Sequence, residues 1–385
     1  QRACALWNPE KGFGTDGGEG EGGYGAGGGR RQEEEETGKA RDWLDAGRVF
    51  PYSRTQSNRE GDVTIGRKSR CIWVVLAFLL VAACAPGRAQ AEADDPNWSV
   101  TLKTKFLFNS HTSYEFGNPL SPFQSPLSRL EFPLESVWVG GEIRRRLGRL
   151  SAGVEFLSSV SDQDAGTFKD SDWEDEENPT RLSIYSESQC RLQPSYQFAA
   201  DVDMQVADLL TLPAGFAVRP MLGFRFQRFS FVAHDGTQYT YDTYGAVDGV
   251  DSISGDSISF QQDWYQLVAG LRLGYEWNRP PVLHRIAITS QLDWSHVFGR
   301  NLDRHLLRWD RTTRDETAGN AWHATLGVMF GLTESLDFGV EGEYLCIDTR
   351  GSHNLHNQET DMTWSHGVRV WSEQTSVSVK VAYRF

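Results

Sequence analysis

Two short groups of residues in this sequence have the types and spacing that could activate a water molecule. The first is Asp170 with Asp172, and the second is Asp303 with His305. In an extended strand, residues i and i+2 point to the same side, so each group would present both side chains together. A neutral His305 could take a proton from water while Asp303 orients its ring. A close aspartate pair could hold the same water, because like charges resist joint ionisation. This chemistry suits hydrolysis of a peptide bond and needs neither a metal nor a covalent nucleophile.

Simpler explanations exist for these acids and for a histidine-rich segment. Asp170 opens a run of six acids in eight residues, and such a run is usually a solvated surface. Asp170, Asp172 and Glu174 suggest calcium, but the glycine and the ligand spacing of an EF-hand loop are missing. Four further possible ligands are His353, His356, Asp361 and His366. Nothing in their spacing fixes a tetrahedral site, so we interpret this segment as a solvated loop and predict no metal.

The elements that would position these residues are strands with period-two alternation. In the last one, Val377, Val379 and Val381 share a face with Tyr383 and Phe385, while polar residues occupy most of the other face. We predict ten strands, near 98–108, 128–146, 149–160, 194–209, 214–231, 258–278, 283–298, 320–332, 335–348 and 368–385. Short and long connections alternate between them. This layout predicts an all-β fold, a ten-stranded antiparallel transmembrane β-barrel with long extracellular loops.

A soluble β-sandwich also alternates and also has polar loops. It is disfavoured by strands longer than about 10 residues, by the terminal Phe385, and by a secretory signal at residues 67–91. That signal has a basic start, an apolar stretch at 71–83 and a small-x-small cleavage site at 89–91. Lipoprotein processing at Cys84 is the alternative for the same segment.

The rest of the chain divides around that signal. Residues 1–66 are glycine-rich and show no periodicity, so we interpret them as a disordered extension from a start site assigned too far upstream. Residues 92–385 form the predicted barrel domain. That domain contains only Cys190 and Cys346, and the sequence leaves open whether they form a disulfide.

Composition excludes several classes of protein. With 38 basic and 52 acidic residues the formal net charge is −14, which argues against a nucleic-acid partner. No apolar stretch reaches the roughly 20 residues of a membrane-spanning helix. Ten strands also make a barrel far narrower than the 16-stranded porins, so a channel is disfavoured.

Several motifs occur in an order that resembles a known family. They are Asp170-x-Asp172-Trp173, Asn178-Pro179, Arg228-Phe229-Ser230-Phe231, Gln262-Asp263-Trp264 leading to Gly270-Leu271, Asp303-x-His305 and Tyr383-Arg384-Phe385. In this order they resemble the omptins, outer-membrane aspartyl-type endoproteases of Gram-negative bacteria. The resemblance runs from about Trp98 to Phe385.

The resemblance implies a role for each matching residue. His305 would be the general base and Asp303 its orienting partner, while Asp170 and Asp172 would bind the nucleophilic water and the developing oxyanion. The protein would be an outer-membrane hydrolase whose active site faces the exterior and whose substrates are peptides or proteins. We also expect it to be a monomer.

The resemblance also implies a pocket for a basic substrate side chain, with departures. Omptins prefer to cut between basic residues, using acids in the S1 pocket. Glu115 falls at the position of one such acid, whereas Asn301 replaces the other. Losing one of two carboxylates should weaken binding of a cationic side chain, so preference for basic residues is expected to be reduced.

Omptins need lipopolysaccharide as an activator and no other cofactor, which predicts the same here. Arg228 matches a lipid A-phosphate contact on the outer wall. Phe224 keeps a family aromatic, but Phe226 stands where the family has an acid, so lipid dependence is expected to be altered. The alternative from another functional class is a catalytically inactive omptin-like barrel that serves as an adhesin or as an envelope structural protein.

Overall fold

The structure is a computed structural model. It describes residues 97–118, 124–160, 163–175, 177–278, 280, 282–307, 311–356 and 361–385. The predicted extension at 1–66 and the predicted signal at 67–91 lie outside these residues. Within the described part of the chain, no helix is long and apolar enough to cross a membrane.

Thirteen strands make up the described residues, all in one sheet. They are β1 (Trp98–Asn118), β2 (Gln124–Pro133), β3 (Ser136–Leu147), β4 (Leu150–Ser159), β5 (Gln163–Asp172), β6 (Ile184–Leu192), β7 (Tyr196–Met204), β8 (Phe216–Tyr241), β9 (Val247–Asn278), β10 (Arg285–His305), β11 (Arg311–Gly331), β12 (Leu336–His356) and β13 (Asp361–Arg384).

Ten of these strands close an antiparallel ring. The order is β1, β3, β4, β7, β8, β9, β10, β11, β12 and β13, and β13 returns to β1. The other three strands continue β3, β4 and β7 beyond short breaks: β2 pairs with β1 and β5, and β6 joins β5 to β8. We call the end that β2, β5 and β6 extend the upper end. The predicted ten-stranded barrel is therefore confirmed.

The strands are longer than predicted, and this corrects the predicted loops. Residues 109–118 and 299–305 belong to β1 and β10, and β9 begins at Val247. Their backbone N–H and C=O groups hydrogen-bond to neighbouring strands. These segments can therefore be strands without a regular alternation of apolar side chains. Polar sequence at the upper end therefore continues the sheet instead of forming long irregular loops.

The outer face of the ring carries an apolar belt. Leu222, Leu267, Leu292 and Leu326 each expose more than half of their surface, although they sit in the middle of paired strands. Aromatic residues mark the upper edge of this belt on β8 and β9, where Phe226 contacts Tyr265 with ring centroids 5.1 Å apart. An outward apolar band with an aromatic edge is the surface that a lipid bilayer requires of a barrel.

Paired charges fill the inside of the ring. Lys105 Nζ lies 2.9 Å from the Glu343 carboxylate, which is also 3.2 Å from His323 Nε2. His323 Nδ1 lies 2.7 Å from Asp293, and Arg225 reaches Asp293 at 3.4 Å. Buried charges are tolerated only with such partners. These side chains occupy the lumen, which agrees with the prediction that the barrel is too narrow for a porin channel.

Cys190 is a free, buried thiol on β6. Cys346 lies on β12, and β6 pairs only with β5 and β8 among the described strands. The disulfide between Cys190 and Cys346 that the sequence left open is therefore not formed.

Candidate active site

The predicted acid–histidine pair lies at the upper end of β10. Alternate residues of this strand are buried inside the barrel, and Asn301, Asp303 and His305 share that inner face. His305 Nε2 lies 3.0 Å from Asp303 Oδ2, and the side chains expose only 12% and 3% of their surface. A carboxylate that accepts from Nε2 fixes the ring tautomer and leaves Nδ1 as the basic nitrogen. The pair can therefore act as a general base.

The predicted aspartate pair lies at the end of β5. Asp170 is opposite Leu130 and Asp172 is opposite Ser128 on β2. Leu130 and Ser128 are buried inside the barrel, and cross-strand partners share a face, so both aspartates belong to the inner face. Ser171 between them belongs to the outer face.

A layer of aromatic rings joins the two walls that carry these pairs. Phe168 precedes Asp170 by two residues on β5, and Phe260 is the cross-strand partner of Asp303 on β9. Both rings contact Phe132, with centroids 4.8 Å and 4.4 Å away. Because the rings meet inside the barrel, the aspartate pair and the Asp303–His305 pair stand above one common floor.

A second acid–histidine pair lies beside this floor, beyond the apolar belt. His353 Nδ1 is 2.9 Å from Asp315 Oδ1 and 3.0 Å from the hydroxyl of Tyr114. Burial raises the pKa of Asp315 above its ordinary value, and the charge of Asp303 raises it further. Burial also raises the pKa of Tyr114, together with the charges of Asp315 and Asp303.

Several buried polar atoms in this region have no hydrogen-bond partner among the described residues. They are Asn301 Oδ1 and Nδ2, Asp303 Oδ1, Asp315 Oδ2 and His353 Nε2. Buried polar groups are normally paired with protein, water or a bound group. Asn301, Asp315 and His353 lie on neighbouring strands at one level, so these unpaired atoms cluster next to the Asp303–His305 pair.

Sequence reasoning missed Tyr114 and Asp315, because they fall in segments predicted as loops. The interpretation of His353 as a solvated loop residue was wrong, since it is 2% exposed and stacks on Phe116 with ring centroids 4.7 Å apart. His366 is exposed, but it lies on β13 and not in a loop. Among the described residues no group of three or more metal-ligating side chains is present.

Glu115 does not join the site, which corrects its predicted place in the S1 pocket. Its Oε2 accepts from Nε and Nη2 of Arg129 at 2.8 Å and 2.6 Å, on the outer face of the barrel. The cause is an irregularity in β1 between Phe108 and His111. Below it, odd-numbered residues such as Lys105 point inward, and above it the even-numbered Tyr114 does. A one-residue shift moves every following side chain to the opposite face.

Arg228 lies on the outer wall, as predicted. It is two residue pairs above the Phe226–Tyr265 contact, and its guanidinium donates to both oxygens of Asp263 at 2.6 Å. The side chain is 38% exposed and thus remains accessible from the upper edge of the apolar belt.

The family model described as the Omptin family matches residues 124–385. This chain belongs to the omptin family. The crystal structure of the outer membrane protease OmpT from Escherichia coli covers 77% of this omptin and 99% of its own chain, with a TM-score of 0.67 and 17% identity. The translocator domain of the autotransporter NalP from Neisseria meningitidis has a TM-score of 0.27 at 11% identity, covering 84% and 100% of the two chains. A search of curated protein sequences finds no match.

The predicted family and the predicted barrel are therefore both confirmed. Membership of the omptin family supports outer-membrane protease activity in general and an outer-membrane location, while the match to OmpT shows the fold.

Proposed function

We propose that this omptin is an outer-membrane endopeptidase that hydrolyses peptide bonds with an activated water at the outward-facing end of the barrel. The water is held between the Asp303–His305 pair and the Asp170–Asp172 pair. The observation that carries the proposal is the 3.0 Å contact between His305 Nε2 and Asp303 Oδ2, on the inner face and above a floor shared with the aspartates.

The proposed reaction proceeds through four proton transfers. His305 Nδ1 takes a proton from the water, and the resulting hydroxide attacks the carbonyl carbon of the scissile peptide. Asp303 stabilises the imidazolium, while a proton shared by Asp170 and Asp172 is donated to the developing oxyanion. When the carbon–nitrogen bond breaks, the imidazolium gives its proton to the leaving amine, and a hydroxyl group of the intermediate returns one proton to the Asp170–Asp172 pair. The products are a carboxylic acid and an amine.

We further propose that cleavage occurs near basic residues, with a moderate preference. The upper end of the barrel interior carries four acids, Asp170, Asp172, Asp303 and Asp315. These acids and the formal net charge of −14 favour the approach of cationic peptides. Asn301 contributes no charge, and the Glu115 carboxylate is held on the outer face by Arg129. Neither predicted S1 position therefore supplies a carboxylate to the interior, so selection of a basic side chain should be weaker than in a pocket with two carboxylates.

Lipopolysaccharide is the proposed activator, and Arg228 its proposed contact. This arginine stands at the height where lipid phosphates border an apolar belt, and a guanidinium suits a phosphate group. Its pairing with Asp263 means that a phosphate must compete with, or share, an existing ion pair. The dependence on lipopolysaccharide is accordingly expected to be weak, and the enzyme is expected to act as a monomer.

The test is cleavage of a dibasic fluorogenic peptide by refolded protein, with and without lipopolysaccharide. The His305→Ala variant should lose activity while the barrel remains folded by circular dichroism. The exposed His366 provides a matched control, so the His366→Ala variant should retain it. Equal activity in the His305→Ala variant would remove the mechanism. No cleavage by the unaltered protein would favour the inactive adhesin or structural barrel.

A further inference from the structure

A continuous set of arginine and tryptophan contacts covers part of the outer face at the upper end. We call it the outer ladder, and its members are Asp348, Arg369, Trp371, Arg129, Glu115 and Trp173. Arg369 Nη2 lies 2.6 Å from Asp348 Oδ2, and the Arg369 guanidinium lies 4.9 Å from the centre of the Trp371 ring. The ladder thus starts on β12 and crosses β13.

The ladder continues over β1 and β2 through Arg129. The guanidinium of Arg129 lies 5.7 Å from the Trp371 ring and 5.5 Å from the Trp173 ring. Glu115 fixes it in that place with two hydrogen bonds of 2.8 Å and 2.6 Å. A planar guanidinium stacks on aromatic faces while its edge donates to a carboxylate, which lysine cannot reproduce.

The last member of the ladder is joined by a peptide bond to a residue of the proposed site. Trp173 directly follows Asp172, and its N–H donates to the Leu127 carbonyl at 2.8 Å. The Asp172 carbonyl accepts from the Ser183 N–H at 2.8 Å. The pairing between β2 and β5 comprises only four residue pairs, from Ser128–Asp172 to Glu131–Lys169.

We propose that the outer ladder is a positioning device for the aspartate pair. It anchors the short end of β5 through Trp173, and so it fixes Asp172 and Asp170 relative to the Asp303–His305 pair on the opposite wall. The inference rests on the proposed function, because it assigns the ladder a role in that reaction. It also gives Glu115 a role: its carboxylate holds Arg129 and not a substrate side chain.

The physical reason is the sensitivity of catalysis to position. β5 pairs with β6 along its length, but on its other side it pairs with β2 through only four residue pairs, so that side of the strand end is held by few backbone hydrogen bonds. A displacement of about 1 Å in a catalytic group can cost about a hundredfold in rate. Contacts on the outer face can therefore control a reaction on the inner face without touching the substrate.

The first test measures hydrogen exchange of the Trp173 and Ser183 amides, which requires no activity. The Arg129→Met variant should exchange both amides at least tenfold faster than the unaltered protein. The Arg129→Lys variant should lie between them, because the charge remains but the planar stacking is lost. The Arg314→Met variant is the control, since Arg314 is an exposed outer-face residue of β11. Unchanged exchange in the Arg129→Met variant would overturn the proposal.

The second test separates binding from turnover with a fluorogenic peptide. The Arg129→Met variant should lower kcat about ten- to a hundredfold, with KM changed much less, because the ladder does not contact substrate. The Trp173→Phe variant should retain more kcat than the Trp173→Ala variant, since it keeps an aromatic face. Faster amide exchange with unchanged kcat would also overturn the proposal.

The two tests distinguish failure of the ladder from failure of the proposed function. If the unaltered protein cuts no peptide, the endopeptidase proposal falls, and amide exchange alone decides whether the ladder anchors β5. If the unaltered protein cuts and the Arg129→Met variant cuts equally well, only the ladder proposal falls. The Asp348→Asn variant at the far end of the ladder should show a smaller effect of the same sign.

Discussion

Replacement of Asp303 by Asn is the sharpest perturbation of the proposed mechanism. The amide keeps the size of the side chain but removes the charge that faces the imidazolium at 3.0 Å. At that separation and an effective dielectric constant of about 20, the attraction between unit charges is about 5 kcal/mol. With about 1.4 kcal/mol for each factor of ten, this sets an upper limit near ten-thousandfold. Because His305 is partly solvated, we expect a loss of about a thousandfold in kcat.

The assay is steady-state cleavage of a dibasic fluorogenic peptide by refolded protein at neutral pH. The matched control is the Asp256→Asn variant, which removes an exposed carboxylate from β9. KM should change little in the Asp303→Asn variant, because the lost interaction develops only when His305 becomes charged. A variant within tenfold of the unaltered protein would refute the assignment of Asp303 as the orienting carboxylate.

Four further predictions follow from the same structure. Activity should fall as pH drops from about 7 to about 5, because a protonated His305 cannot accept a proton; a flat pH–rate profile contradicts this. Burial raises the pKa of Asp315, so this group favours the folded state at acid pH and loses that contribution as pH rises through its raised pKa. Urea unfolding at several pH values should therefore show a weaker pH dependence in the Asp315→Asn variant. In a peptide library, the Glu115→Gln variant should keep the ratio of basic to neutral P1 cleavage, since the carboxylate faces outward. Planar bilayer recordings should show no stable conductance, because ion pairs such as Lys105–Glu343 fill the lumen.

The part of the fold that faces lipid could be predicted from the sequence. A bilayer demands an apolar residue at every second position, and β13 shows that alternation from Val377 to Phe385. The upper parts of the strands could not be predicted in the same way. Residues 247–257 of β9 are mostly polar and show no period-two alternation. This segment is a strand because it pairs with β8, and the local sequence does not indicate that pairing.

The residues of the site also differ in whether the sequence could predict them. Asp170, Asp172, Asp303 and His305 could be identified because spacing of two residues within one strand is local information. The contact of His353 with Asp315 depends on the register between β12 and β11, which no short motif records.

The orientation of Glu115 was predicted incorrectly for a related reason. An alignment without gaps matches residue types but does not detect an extra residue inside a strand. The irregularity after Phe108, where Asn109 adopts a φ of 46°, reverses the orientation of everything that follows in β1.

The charged lumen also constrains how this protein enters a membrane. Lys105 belongs to the first strand and its partner Glu343 to the twelfth, so the pair forms only when the two ends of the chain meet. Before that closure, an open sheet would expose a lone ammonium group to hydrocarbon, which is costly. Insertion and ring closure should therefore occur as one event, and a half-inserted sheet should be a short-lived species.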